Sequence, residues 1–232
     1  MIEIVVVGEG PAEETFFRDV LGPALAYRQI FVQPRLIPTS RHGRGGALSR
    51  DRVLRYLRNT LRERQDLYVA TFFDLYALDA DFPGWSEARA ITDPLVKAAL
   101  IESRLAEAVV ELAQCRAERF LPHIQPHEFE ALLFSDTDRL VEIDPDWKSA
   151  ATRLRSIRTA VASPEHIDEG PQTHPSARLD ALLRPRFRKV LHGPRAAAQI
   201  GIERIRAECR HFGKWLARVE GLGSCRSDPE RR

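Results

Sequence analysis

Cysteine, lysine and methionine are scarce in this chain. Its 232 residues hold three cysteines, Cys115, Cys209 and Cys225, far apart and in no Cys-x-x-Cys pair. That spacing excludes a zinc ribbon and a dithiol redox motif, and a sparse odd count fits a reducing, cytoplasmic setting. No run of about 18 apolar residues exists, so no membrane association is expected. The Gly-Lys-Ser/Thr of a phosphate-binding loop and the His-Glu-x-x-His of a zinc protease are absent. Gly8-x-Gly10 lacks the third glycine of a dinucleotide fingerprint, and Pro11 intervenes. The start, Met1 to Val7, has no basic segment and no small-residue cleavage site, and reads as a strand.

The charge that is present is unevenly placed. Residues 1–150 carry 18 basic and 24 acidic side chains, a net of −6, while residues 151–232 carry 17 and 9, a net of +8. Coding bias accounts for arginine over lysine, which occurs four times, but not for the uneven sign. An acidic front and a basic back suit a site that holds cations beside a surface that holds a polyanion.

Hydrophobic patterning gives an α/β chain. Residues 2–7 are almost continuously apolar and β-branched, as in a strand buried on both faces of a parallel sheet. Further strands are expected over 30–38, 67–73 and 119–125. Helices are expected after Pro11, over 50–64, over 93–118 with Asp93 as cap, and briefly over 127–134. This alternation implies a mainly parallel sheet flanked by helices. Beyond about residue 145 only helices are read, at 147–162, 176–183, 195–210 and 211–220. The expected organisation is an α/β domain over 1–145, a helical C-terminal extension packed on it over 146–222, and a flexible tail over 223–232.

Three blocks carry candidate chemistry. Glu9 follows the first strand between two glycines, at the carboxyl end where open α/β sheets bind ligands. Asp74 ends the third strand and belongs on the same edge. Two carboxylates brought together repel unless a cation lies between them, and hard oxygen donors favour Mg²⁺ or Mn²⁺. Asp79 and Asp81 follow in a turn, as further ligands or as turn acids. The block Gln125-Pro126-His127-Glu128-Phe129-Glu130 supplies two more acids. On a helix Glu128 and Glu130 point apart, so one of them is expected at the site.

Together these blocks resemble the Toprim-fold family catalogued as domain of unknown function 4276. The likeness extends to Arg44-Gly45-Gly46, Ser163-Pro164-Glu165, Pro175-Ser176-Ala177-Arg178, Lys189-Val190-Leu191-His192-Gly193 and the stretch from Ile200 to Phe212. The resemblance implies a Toprim-like fold in which acids after two strands bind Mg²⁺. Glu9 matches the first, and Asp74 the first Asp of an Asp-x-Asp pair. Tyr76 stands at the second position, and Ala12 where the family turn has Thr. Toprim-like nucleases of the overcoming-lysogenization-defect type add a later acid and a lysine, parts that fall to Glu128 or Glu130 and to Lys189.

The implied activity is Mg²⁺-dependent phosphodiester cleavage of nucleic acid, DNA ahead of RNA. Arg44, Arg55, Arg58, Arg62 and Arg188 are the expected phosphate contacts. Proteins that look like this one are often encoded beside an ABC-type or AAA-type ATPase, in settings suggestive of phage defence, which implies such a partner. Self-association is left open. The alternative is a non-catalytic adaptor that keeps the scaffold and docks on the ATPase, a reading favoured by Tyr76.

Overall fold

Strand β1, Ile2–Gly8, is the centre of the architecture. The computed structural model describes residues 1–37, 48–167, 170 and 172–224. In β1 the residues alternate between two cores. Ile4 and Val6 face one and Val5 and Val7 the other, as the period of two in a strand requires. This is why the segment is apolar throughout.

The other strands are β2 (Ile30–Leu36), β3 (Tyr68–Thr71), β4 (Phe73–Asp74), β5 (Phe120–Leu121) and β6 (Ile124–Gln125). The main sheet has the order β2-β1-β3-β5, all parallel, and β4 and β6 form a separate parallel pair. The strands expected over 67–73 and 119–125 are thus each broken in two. Pro122 has no amide to donate. The Thr71 hydroxyl takes over the pairing, donating to the carbonyl of His123 and accepting from its amide.

The helices are α1 (Pro11–Phe16), α2 (Gly22–Ala26), α3 (Arg50–Glu63), α4 (Trp85–Ala88), α5 (Pro94–Ala113), α6 (Thr137–Val141), α7 (Ala151–Thr159), α8 (Pro175–Leu182), α9 (Lys189–Ile200), α10 (Ile202–Glu208) and α11 (Arg210–Ser224). One sheet face packs on α3 and α5 through Leu57, Leu61, Ile101 and Leu105. The other packs on α1, α9 and α11 around Phe16, Phe72, Phe129, Phe212 and Trp215. Each such ring, fully buried, contributes about 2–3 kcal/mol. Among the described residues no helix is long and apolar enough to cross a membrane.

Three helical expectations are corrected. The helix read over 93–118 ends at Ala113, because Gln114 turns into the left-handed region at φ 52°. The segment read as a helix over 127–134 is a 3-10 helix, Phe129–Ser135. The helix read over 195–210 starts six residues earlier, at Lys189, and carries Pro194 in its interior. It breaks at Gly201, whose φ of 85° favours a residue without a side chain.

Candidate active site at the carboxyl edge of the sheet

The chain passes from β1 to β2 on one side, then crosses to β3 on the other. This reversal opens a crevice at the carboxyl ends of β1 and β3, where ligands of such sheets bind. Glu9 leaves β1 there. Its Oε1 accepts from the backbone amide of Asp74, so both acids stand on one edge. Gly8 allows the turn to pack closely, since a Cβ there would lie 2.8 Å from Cε2 of Phe17.

Lys189, the first residue of α9, enters the cluster from the opposite side. Its Nζ lies 2.9 Å from Glu13, 3.2 Å from Asp74 and 3.3 Å from Glu130. The approach depends on Gly193, whose added Cβ would sit 3.0 Å from the Phe129 ring. Asp74 Oδ1 also accepts from the amide of Phe129, at 2.8 Å. Glu128 stands beside the cluster, accepting from the amide and hydroxyl of Ser176, with His174 Nδ1 at 3.1 Å. Of the two acids in that block, Glu130 is therefore the one that meets Lys189.

Three carboxylates thus meet one ammonium, with Glu9 and Glu128 beside them. Burial lifts Asp74 to about 7, Lys189 pulling it down and Glu13 and Glu128 pushing it up. Burial, opposed by Lys189, lifts Glu130 to about 8. Glu9 is held well above the ordinary range by burial and then by the charge of Asp74. For Lys189, burial lowers the pKa, but Asp74, Glu130 and Glu13 outweigh it and hold the amine well above its usual value. Glu130 is fully buried, and neither of its carboxylate oxygens has a hydrogen-bond partner.

The family described as domain of unknown function (DUF4276) matches residues 8–220, a span that contains every residue of this cluster. The chain belongs to that family. No curated protein matches it, and no solved structure does.

In this DUF4276 chain the remaining expected residues lie elsewhere. Asp79 accepts from the amide of Ala80, and Asp81 from the amide of Arg50 at the start of α3. Both are thereby engaged as turn and helix-end acids. Tyr76 is exposed, its ring near His127 and His174. Helix α3 starts at the carboxyl edge, where Leu48 pairs with Leu78, and returns toward the start of β3. Arg55 is exposed near the site end of α3. Arg58 donates to Asn59. Arg62 is at the far end, donating to the carbonyls of Leu112 and Ala113 in α5. Arg188 is exposed immediately before Lys189. Arg44 lies outside the described residues.

Two parts of the arrangement escape sequence reasoning. Glu13 reads as an acid favourable to the dipole of α1, yet it is 3% exposed and pairs with Lys189. The second part is a separate group, Glu102, His123 and His211, from α5, the segment before β6, and α11. Their donor atoms lie within 4.8 Å of one another, and no other His, Cys, Asp or Glu trio among the described residues is so close. Burial, then the neighbouring His211, holds His123 well below the usual imidazole range. No spacing in the sequence announces either feature.

Proposed function

We propose that the edge cluster is a divalent-metal site for hydrolysis of nucleic-acid phosphodiesters, with Glu9, Asp74 and Glu130 holding Mg²⁺ or Mn²⁺. The observation that carries this reading is Glu130. A fully buried carboxylate that forms no hydrogen bond, and whose one cation, Lys189 at 3.3 Å, is shared with two other acids, is costly unless a further cation meets it. The donor type fits the group, since every side chain but Lys189 offers oxygen, the preference of a hard cation, and the carboxylates of Glu9, Asp74 and Glu130 would have to draw together around the ion. One ammonium shared by three carboxylates, with Glu9 close by, leaves capacity for a further cation.

A bound divalent cation supplies Lewis acidity at a phosphoryl oxygen and a more acidic water. The chain's own residues do the rest. Asp74 and Glu130, raised toward neutrality in the metal-free protein, would release protons as they take up the cation, so metal binding near pH 7 would depend on pH. Lys189, half-buried at the mouth, can turn its charge to a phosphate. Glu128, fixed by Ser176 and His174, orients the turn that carries Glu130. On this reading the exposed Arg188, next to Lys189, and the exposed Arg55 of α3 would contact the phosphates of the strand.

The adaptor reading is favoured by one observation: Lys189 already partly neutralises three carboxylates, so the cluster can exist without metal. A nicking assay with plasmid DNA and with RNA, in Mg²⁺ and in Mn²⁺, separates the two. It is run with and without an ABC-type or AAA-type ATPase as partner. Cleavage that is lost in Glu130→Gln while the fold is kept supports the nuclease. A wild-type chain that neither binds Mn²⁺ nor cleaves, with partner or without, sinks it in favour of the adaptor.

A further inference from the structure

The second cluster lies apart from the carboxylate edge, and one of its donors is unexplained by the protein alone. His123 is fully buried between β5 and β6. Its Nε2 lies 3.1 Å from Oε1 of Gln125. The amide nitrogen of Gln125 is directed to the carbonyl of Pro126, which leaves Oε1 as an acceptor. In the neutral ring Nε2 therefore carries the hydrogen, and Nδ1 is a bare lone pair. That Nδ1 has no hydrogen-bond partner and faces Oε1 of Glu102 at 3.5 Å.

Two acceptors thus point at one another in a buried place. Glu102 is otherwise satisfied. Its Oε1 accepts from the amide of Ile124 at 2.8 Å and pairs with Nε2 of His211 at 2.7 Å. A hydrogen-bonded Glu–His pair accounts for those two contacts. It does not account for the lone pair of His123, which calls for a cation between it and the carboxylate.

We infer that Glu102, His123 and His211 form a binding site for a first-row divalent transition metal, Zn²⁺ by ligand type. Two imidazoles and one carboxylate are the three-donor set of zinc centres that keep a coordination position open. Tetrahedral zinc with bonds of about 2.0–2.1 Å sets donors roughly 3.3 Å apart. The separations from the Glu102 oxygen, 2.7 and 3.5 Å, are within about an ångström of this, and all three donors lie within 4.8 Å of one another, so the two imidazoles would close in on a bound ion. The Nε2–H of His123 held by Gln125 is the outer hydrogen bond that orients such ligands.

Access exists on one side. A cleft of about 400 Å³ opens on Glu102 and His211 and is lined also by Val96, Ala99, Lys214 and Arg218. The fourth position therefore receives water or an anionic group, drawn by the two basic side chains. Because the ligands come from α5, the sheet and α11, the metal would also fasten α11 to the sheet. This site is independent of the function proposed for the carboxylate edge.

The test uses the full chain, stripped with chelator and titrated with Co²⁺ or Zn²⁺ alone. The intense ligand-field bands of Co²⁺ are expected to saturate at one equivalent, with no thiolate charge-transfer band. His123→Gln and His211→Gln should abolish the bands, and Glu102→Gln should weaken binding at least about tenfold. Glu130→Gln and Asp74→Asn should keep them, which assigns the metal to this cluster and not to the edge. Where a histidine variant does not fold, Glu102→Gln keeps shape and hydrogen bonding. X-ray absorption on the Zn²⁺-loaded wild type reads two imidazoles with no substitution at all. Absence of stoichiometric binding, a thiolate band, bands that survive both histidine changes, or an oxygen-only zinc shell would each overturn the inference.

Discussion

Replacing Glu130 with glutamine keeps the shape of the side chain and removes one ionisation. In the folded protein without metal, burial outweighs the pull of Lys189 and lifts this carboxyl from 4.5 to about 8. An acid raised on folding contributes its full stability below the lower value, where both states hold the proton. It loses that contribution as the pH rises through the upper one. Between the two, each pH unit favours unfolding by about 1.4 kcal/mol. Integrated to pH 8, the loss is on the order of 4 kcal/mol. Glutamine has no proton to lose, and Lys189 keeps Glu13 and Asp74 as partners. The variant should match wild type near about pH 4.5 and exceed it at pH 8, by on the order of 10 °C in Tm for a chain of this length. Thermal and urea melts in chelator across that range give the curve. Adding Mg²⁺ near pH 8 should then raise wild type more than the variant. A variant less stable than wild type at pH 8, or a difference independent of pH, would refute the reasoning.

Three further outcomes are expected. Gly193→Ala should destabilise by about 1–3 kcal/mol in urea melts, because its Cβ meets a Phe129 ring already packed against Phe16 and Phe72. Glu165→Ala should cost about 2–3 kcal/mol, since its buried carboxylate accepts the amides of His211 and Phe212 at the start of α11; retention of wild-type stability would deny that anchoring role. If nucleic acid tracks past the edge, Arg55→Ala should lower the salt dependence of binding by roughly one counterion in fluorescence anisotropy. Arg62→Ala should leave that slope alone and lower the melting temperature, as its guanidinium ties α3 to α5.

Strand β1 and the edge acids were legible in the sequence for local reasons. A β-branched run ended by Gly8 announces a buried parallel strand, and an acid just past it must sit at the carboxyl edge, as Glu9 does. Asp74 is legible in the same way, although its strand is split by the Thr71–His123 bonds. The two-core arrangement also follows from β1, whose alternate side chains cannot face the same way. The end of α5 was not legible, because Gln114 can adopt the left-handed turn that stops it without being glycine.

Side-chain convergence was decided only by the tertiary structure. Glu13 looks like a surface acid until α9 docks on α1 and brings Lys189 to it, from 176 positions further along the chain. Glu130 became a fully buried carboxylate because the sheet edge, α9 and its own 3-10 turn close around it. Glu102, His123 and His211 meet across three elements and 109 positions. Periodicity reports which face of an element is apolar, an interaction of each residue with solvent. It carries no information about which polar groups from distant elements will share one buried volume, because that depends on how the helices are stacked on the sheet.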